Sequence, residues 1–203
     1  MTFKPGWSSI EAAAASLVAL LIATGCVTSE DPDLGSPDLG STEQAVSRTA
    51  TGYPVKVYFS KFDTSLTNPA LVYAVNRASP TVGLATYSLQ LLIAGPTAGE
   101  RGVGYFSELN SILTGPSSCS APHPTGGPDF KVTLNKKGTT AETGTATVQL
   151  CRATASPGVG ADARVLAEVT ATLKQFSTVT KVVLLTQTGH CFADGSNADA
   201  CLH

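Results

Sequence analysis

The residues best suited to chemistry crowd the C terminus, where His190-Cys191 is followed by Cys201-x-His203. Two thiolates and two imidazoles can complete a tetrahedral zinc site. In an oxidising compartment the same two cysteines close a disulfide instead, and that is the expected outcome; no metal and no cofactor are expected. Between them, Asp194-Gly-Ser-Asn-Ala-Asp199 sets two carboxylates around a glycine. It lacks the alternating ligands and distal glutamate of a calcium loop and reads as a polar turn. Gly158-Val-Gly-Ala-Asp-Ala163 fits the loose dinucleotide pattern and opens a helix. The preceding strand is too far upstream and no acidic residue follows about 20 positions on, so it reads as a loop feeding a helix. Hydrolysis by a serine would call for Gly-x-Ser-x-Gly, which is absent. Glu100, Ser107 and His123 share one loop-rich stretch and are the residues a hydrolytic or small-molecule site would use.

Cys26 carries a different chemistry. A short apolar run, Ala12-Ala-Ala-Ala-Ser-Leu-Val-Ala-Leu-Leu-Ile-Ala23, follows an N-terminal segment whose one side-chain cation is Lys4. At about 12 residues the run is short for a membrane span and right for a signal-peptide core. Ala23-Thr-Gly-Cys26 then resembles the bacterial lipobox, in which small residues pass the peptidase and the cysteine takes the lipid. The resemblance implies a signal peptide over residues 1–25 and a diacylglyceryl, N-acylated Cys26, with the membrane as partner through that anchor. Several acyl chains bind durably, each CH₂ contributing about 0.8 kcal/mol. Val27, rather than aspartate, follows the cysteine; by the sorting rule of diderm bacteria that favours the outer membrane, and in a monoderm host the outer face of the cell membrane.

Export makes the remaining four cysteines disulfide candidates. Cys119, Cys151, Cys191 and Cys201 allow three pairings; local closure favours Cys119–Cys151 and Cys191–Cys201, and the sequence leaves the other pairings open. Residues 26–52 read as an acidic, disordered linker. They repeat Pro-Asp-Leu-Gly-Ser in tandem at residues 32–41 and carry Glu30, Asp31, Asp33, Asp38 and Glu43 against Arg48, with no apolar face to bury. Beyond them, eleven Lys/Arg stand against nine Asp/Glu, which excludes the concentrated basic face of a nucleic-acid binder.

Residues 53–203 are long enough for one hydrophobic core. Val55, Val57 and Phe59 alternate as a strand, and Leu71, Tyr73 and Val75 as a second. Ser79-Pro80 offers an N-cap and a first helical proline, with Leu84, Tyr87 and Leu91, and Leu92 beside them, as the buried stripe and Gly95-Pro96 as the stop. Residues 97–129 hold six Gly and four Pro and read as an irregular excursion. Residues 130–134 and 145–150 alternate as strands joined by a hairpin connection. Leu166, Val169, Leu173 and Phe176 fall at helical spacing, with Asp162 and Lys174 at the ends the helix dipole favours. Val182-Val-Leu-Leu185 suits a central strand. The order β-β-α-β-β-α-β predicts an α+β fold: a single mixed or antiparallel sheet with two helices packed on it.

These residues resemble the GerMN domain, named for a sporulation and spore-germination protein. The match runs through Leu89-Gln-Leu-Leu-Ile-Ala-Gly-Pro96, Glu100 and Gly104-Tyr-Phe-Ser107. It continues in Ala146-Thr-Val-Gln-Leu150, Thr170-x-Thr-Leu173, Phe176, Val179, Lys181-Val-Val183 and Gly189. It covers about residues 54–190. Gln149 stands where the family usually has aspartate, and the four cysteines are not general to it. The resemblance implies no catalytic residues, with Gly95, Pro96 and Glu100 as structural hallmarks. The functional expectation is a non-catalytic, lipid-anchored envelope protein that docks another envelope protein or peptidoglycan. The competing expectation is an envelope hydrolase or small-molecule binder with its site in residues 97–129.

Overall fold

Alternating apolar residues and two helical stripes build the fold that positions every candidate above. The computed structural model describes residues 52–119, 128–196 and 198–203, which lie in one compact unit, Ala45–His203. The expected signal peptide, Cys26, nearly all of the expected linker and His123 lie outside the described residues. Among those described, no helix is long and apolar enough to cross a membrane.

The first strand, β1 (Tyr53–Lys61), buries Val55, Val57 and Phe59, as its period of two requires. After a single turn, α1 (Thr64–Thr67), β2 (Tyr73–Ser79) returns antiparallel with Val57 opposite Val75. The chain then forms α2 (Leu84–Ala94), α3 (Ala98–Gly102), β3 (Tyr105–Phe106), α4 (Glu108–Ile112) and β4 (Leu113–Thr114). A long hairpin follows, β5 (Phe130–Lys137) and β6 (Thr140–Leu150), with a register shift between Leu134 and Lys136. The chain closes with β7 (Ala153–Thr154), α5 (Val159–Lys174), β8 (Lys181–Leu185) and a 3₁₀ turn over Ala200–Leu202. Val57, Phe59, Leu89, Leu92, Phe130, Val148, Val165 and Leu173 share one core.

The α+β class is as expected, but the strands divide among three ladders: β2-β1-β3, β4-β7 and β5-β6-β8. A helix covers the edge of β1 where another strand would continue the sheet. Lys56, Tyr58 and Ser60 donate their N–H groups to Gln175 Oε1 at 2.7 Å, Thr172 Oγ1 at 3.1 Å and Glu168 Oε1 at 3.2 Å. Glu168, Thr172 and Gln175 fall at i, i+4 and i+7, one face of α5 and its C-cap.

Other expectations shift for local reasons. Ser79 is the last residue of β2, paired with Tyr53, and its hydroxyl accepts from the Thr81 N–H in a tight turn; α2 therefore starts at Gly83, not Ser79. Leu92 is buried as expected, but its fellow buried residues are Ser88 and Leu89 rather than Leu84, Tyr87 and Leu91. The 97–129 excursion contains short helices because Thr97 and Ser107 cap α3 and α4. On α5, Leu166 is exposed while Val165, Glu168 and Val169 face inward. The apolar β8 lies outermost in its ladder, pairing in parallel with β6. It is covered on both faces: Val182 and Leu184 meet the main core, and Val183 and Leu185 pack with Cys191, Cys201 and Leu202.

Candidate functional site

The stretch expected to hold any hydrolytic site starts where α2 stops. Gly95 takes φ 81° and donates its N–H to Leu91 and Leu92 carbonyls; a side chain would resist that conformation. Buried Pro96 follows, and its carbonyl accepts from Arg101 Nη1. Thr97 and Glu100 then close a reciprocal capping box, Glu100 N–H to Thr97 Oγ1 at 3.3 Å and Thr97 N–H to Glu100 Oε2 at 2.8 Å. The same Oε2 accepts from Arg77 Nη2 at 2.6 Å. The Arg77 hydrogen bond, helped by the Thr97 N–H, holds the Glu100 carboxyl below its ordinary range against some burial. Ser107 is 5% exposed. Its hydroxyl donates to the Leu92 carbonyl at 2.8 Å and accepts from the Asn110 N–H. A serine held this way is an N-cap and a helix-to-helix tie, not a nucleophile aimed at a cleft.

Sequence reasoning missed the most perturbed acid among the described residues. Glu168 is fully buried on α5. Its Oε1 accepts the N–H groups of Ser60 and Glu108, and its Oε2 that of Leu109 at 3.1 Å. One carboxyl thus ties α5 to β1 and to the first turn of α4. Burial pushes its pKa up to about 7, against the three N–H donors that favour the ionised form. Glu108 itself faces Arg164 Nε at 2.6 Å. The signal available in the sequence was a glutamate on the same stripe as Val165, Val169 and Thr172.

At the C terminus the zinc ligands are not brought together. Cys191 bonds to Cys201, and Cys119 to Cys151. His190 Nδ1 lies 3.0 Å from Asp199 Oδ2, and Asp199 Oδ1 accepts the Cys191 N–H at 2.8 Å. That N–H, with His190, keeps the Asp199 carboxyl low. Asp194 caps its own turn through the Ser196 hydroxyl and N–H, which lower its pKa. Cys191, Asp194 and Asp199 do converge, but the sulfur is committed to the disulfide. Gly158, first of the would-be dinucleotide glycines, is the N-cap of α5, and its carbonyl starts the helix by accepting from Ala161 and Asp162.

A concavity lies elsewhere. About 550 Å³ opens between residues 82–86 at the start of α2, residues 132–134 of β5, and Phe176, Thr178 and Val179 after α5. No lining residue is charged. A cavity of that size and lining suits an apolar group.

A solved structure, the tandem GerMN domains of the sporulation protein GerM from Bacillus subtilis, is similar at 18% identity. The likeness covers 67% of this chain, spans 39% of that one, and has a TM-score of 0.38. No curated protein matches the chain. The family model described as "Germane: Sporulation and spore germination" matches residues 56–187, running from β1 through β8 and so including the Gly95–Glu100 corner, the Glu168 tie and the rim of the cavity. That match spans well over half of the sequence, and the chain belongs to the Germane family of sporulation and spore germination domains.

Proposed function

We propose that this protein is a non-catalytic, lipid-anchored component of the cell envelope whose Germane domain docks another envelope protein or the cell-wall polymer. The observation that carries the reading is the use to which the stretch after α2 puts its polar side chains. Glu100 is tied to Arg77 and the α3 cap, and Ser107 to Leu92 and the α4 cap. General-base chemistry needs a free group within hydrogen-bond reach of substrate, and these two are spent on structure. The lipobox-like Ala23-Thr-Gly-Cys26 and the acidic stretch after it support tethering outside the cytosol, at the outer membrane of a diderm host or the outer face of a monoderm membrane.

Crosslinking in envelope fractions, followed by pull-down of the full chain, tests the docking. Intact-mass analysis tests the anchor. The wild type is expected to carry lipid on Cys26, to fractionate with membranes and to recover a discrete partner. Cys26→Ala is expected to lose the lipid and the membrane association. A mature protein retaining residues 1–25 with an unmodified Cys26 thiol would defeat the anchor; recovery of no partner from intact envelopes would defeat the docking.

A further inference from the structure

We propose that the outer edge of β5 takes up an extended, uncharged segment of a partner protein as an added strand, one of its apolar side chains seated in the cavity beside α2. The proposal rests on the docking reading and names the class of partner. Among the described residues β5 pairs with β6 alone. The register sets Phe130, Val132 and Leu134 opposite Leu150, Val148 and Ala146. One step out, the Cys151 N–H donates to the Asp129 carbonyl at 2.7 Å, so that pair is of the hydrogen-bonded kind. Such pairs alternate along an antiparallel ladder. Lys131 and Thr133 therefore turn their peptide groups toward β6, and Val132 and Leu134 turn theirs away from it. Neither Val132 nor Leu134 makes a backbone hydrogen bond on that outer side to any described residue. Val132 is nonetheless 6% exposed, and peptide groups beside a buried residue that no described residue pairs carry a free-energy cost.

The same two residues line the cavity. Strand addition would satisfy both features together, the ladder supplying hydrogen bonds and the cavity a place for every second side chain. The chemistry of the occupant follows from the lining. With no charged residue there and only threonine hydroxyls as polar side chains, an Asp, Glu, Lys or Arg would lose hydration without a counter-charge. A bare aliphatic chain would fill the cavity but leave the peptide groups of Val132 and Leu134 unpaired. An apolar or threonine-rich peptide meets both demands.

Residue-resolved amide exchange on the full chain tests this, with a short capped peptide of alternating threonine and valine as the probe. Its fully N-methylated counterpart, which cannot form a ladder, is the control. In the free protein the Lys131 and Thr133 amides should exchange slowly and those of Val132 and Leu134 quickly. The peptide should slow the latter pair by about tenfold or more, and the N-methylated form should not. Leu134→Pro removes an outward N–H without touching the bonds to β6. It should weaken peptide binding by roughly fivefold or more, the worth of about one hydrogen bond, and Leu134→Ala reports the side chain alone. Slow exchange at Val132 and Leu134 in the dilute free protein would mean the chain covers its own edge, and the proposal fails. Protection arising only with dimer formation would make a second copy the occupant, and it fails again. No change on saturation with peptide also ends it. A partner crosslinked equally by wild type and Leu134→Pro would sink strand addition and leave docking standing; peptide protection with no envelope partner would do the reverse.

Discussion

Glu100 and Glu168 show how differently two carboxylates can serve one fold. Glu100 sits at the surface side of a corner, its charge matched by Arg77 and the Thr97 N–H. Replacing it with alanine removes a charge-assisted bond and half of a capping box. The expected loss is about 1–2 kcal/mol, read as a lower urea midpoint with an unchanged slope. Glu168 is interior, and its raised pKa makes stability depend on pH. The unfolded carboxyl ionises near its ordinary 4.5 while the folded one holds its proton to about 7. The folded state therefore binds more protons in that window, and stability falls as pH rises through it. A shift of this size corresponds to something on the order of 3 kcal/mol between pH 4.5 and 7. Urea unfolding at pH 5 and pH 8 should show the drop in the wild type and lose most of it in Glu168→Gln; equal slopes in both proteins would assign the dependence elsewhere. Glu100, with its lowered pKa, works the other way, contributing stability above pH 4.5 that is lost as pH falls below it.

At the scale of elements, the contact between α5 and β1 decides the architecture. A helix face bearing Glu168, Thr172 and Gln175 satisfies N–H groups that would otherwise recruit a strand. Thr172→Val keeps the shape and removes the acceptor of the Tyr58 N–H, leaving a donor unpaired beside a fully buried position. A cost of about 1–3 kcal/mol is expected, together with faster amide exchange at Tyr58. The close approach of Thr180, just before β8, to Gly144 within β6 is held in a similar way. Gly144 takes φ 80°, a Cβ there would lie 2.7 Å from Thr180 Oγ1, and the Thr180 N–H donates to the Gly144 carbonyl. A β-branched residue at 144 should therefore be poorly tolerated. Strands β1, β5 and β6 were legible in alternation alone. The start of α2 was not, because Ser79 suits an N-cap as well as a strand end, and pairing with Tyr53 decides between them.

For the whole molecule, two disulfides fasten the segments that the core does not reach. Cys119–Cys151 closes 32 residues and ties the Pro- and Gly-rich excursion to the end of β6; Cys191–Cys201 closes 10 and folds the C-terminal tail over β8. By loop entropy the first should contribute about 3–4 kcal/mol and the second about 2–3. Cys→Ser pairs compared by thermal unfolding would show the larger drop for Cys119/Cys151. The amino-acid sequence by itself determined the α+β class, the Gly95-Pro96 stop, the hairpin and the family, since each depends on local periodicity, on backbone constraints of single residues or on motif order. Only the tertiary structure decided that the strands divide into separate ladders, that Glu100 and Ser107 are structural, that Glu168 is buried and that the β5 edge borders a cavity. Those outcomes depend on which side chains from distant parts of the chain reach a given N–H first, and residue spacing along one segment carries no record of that.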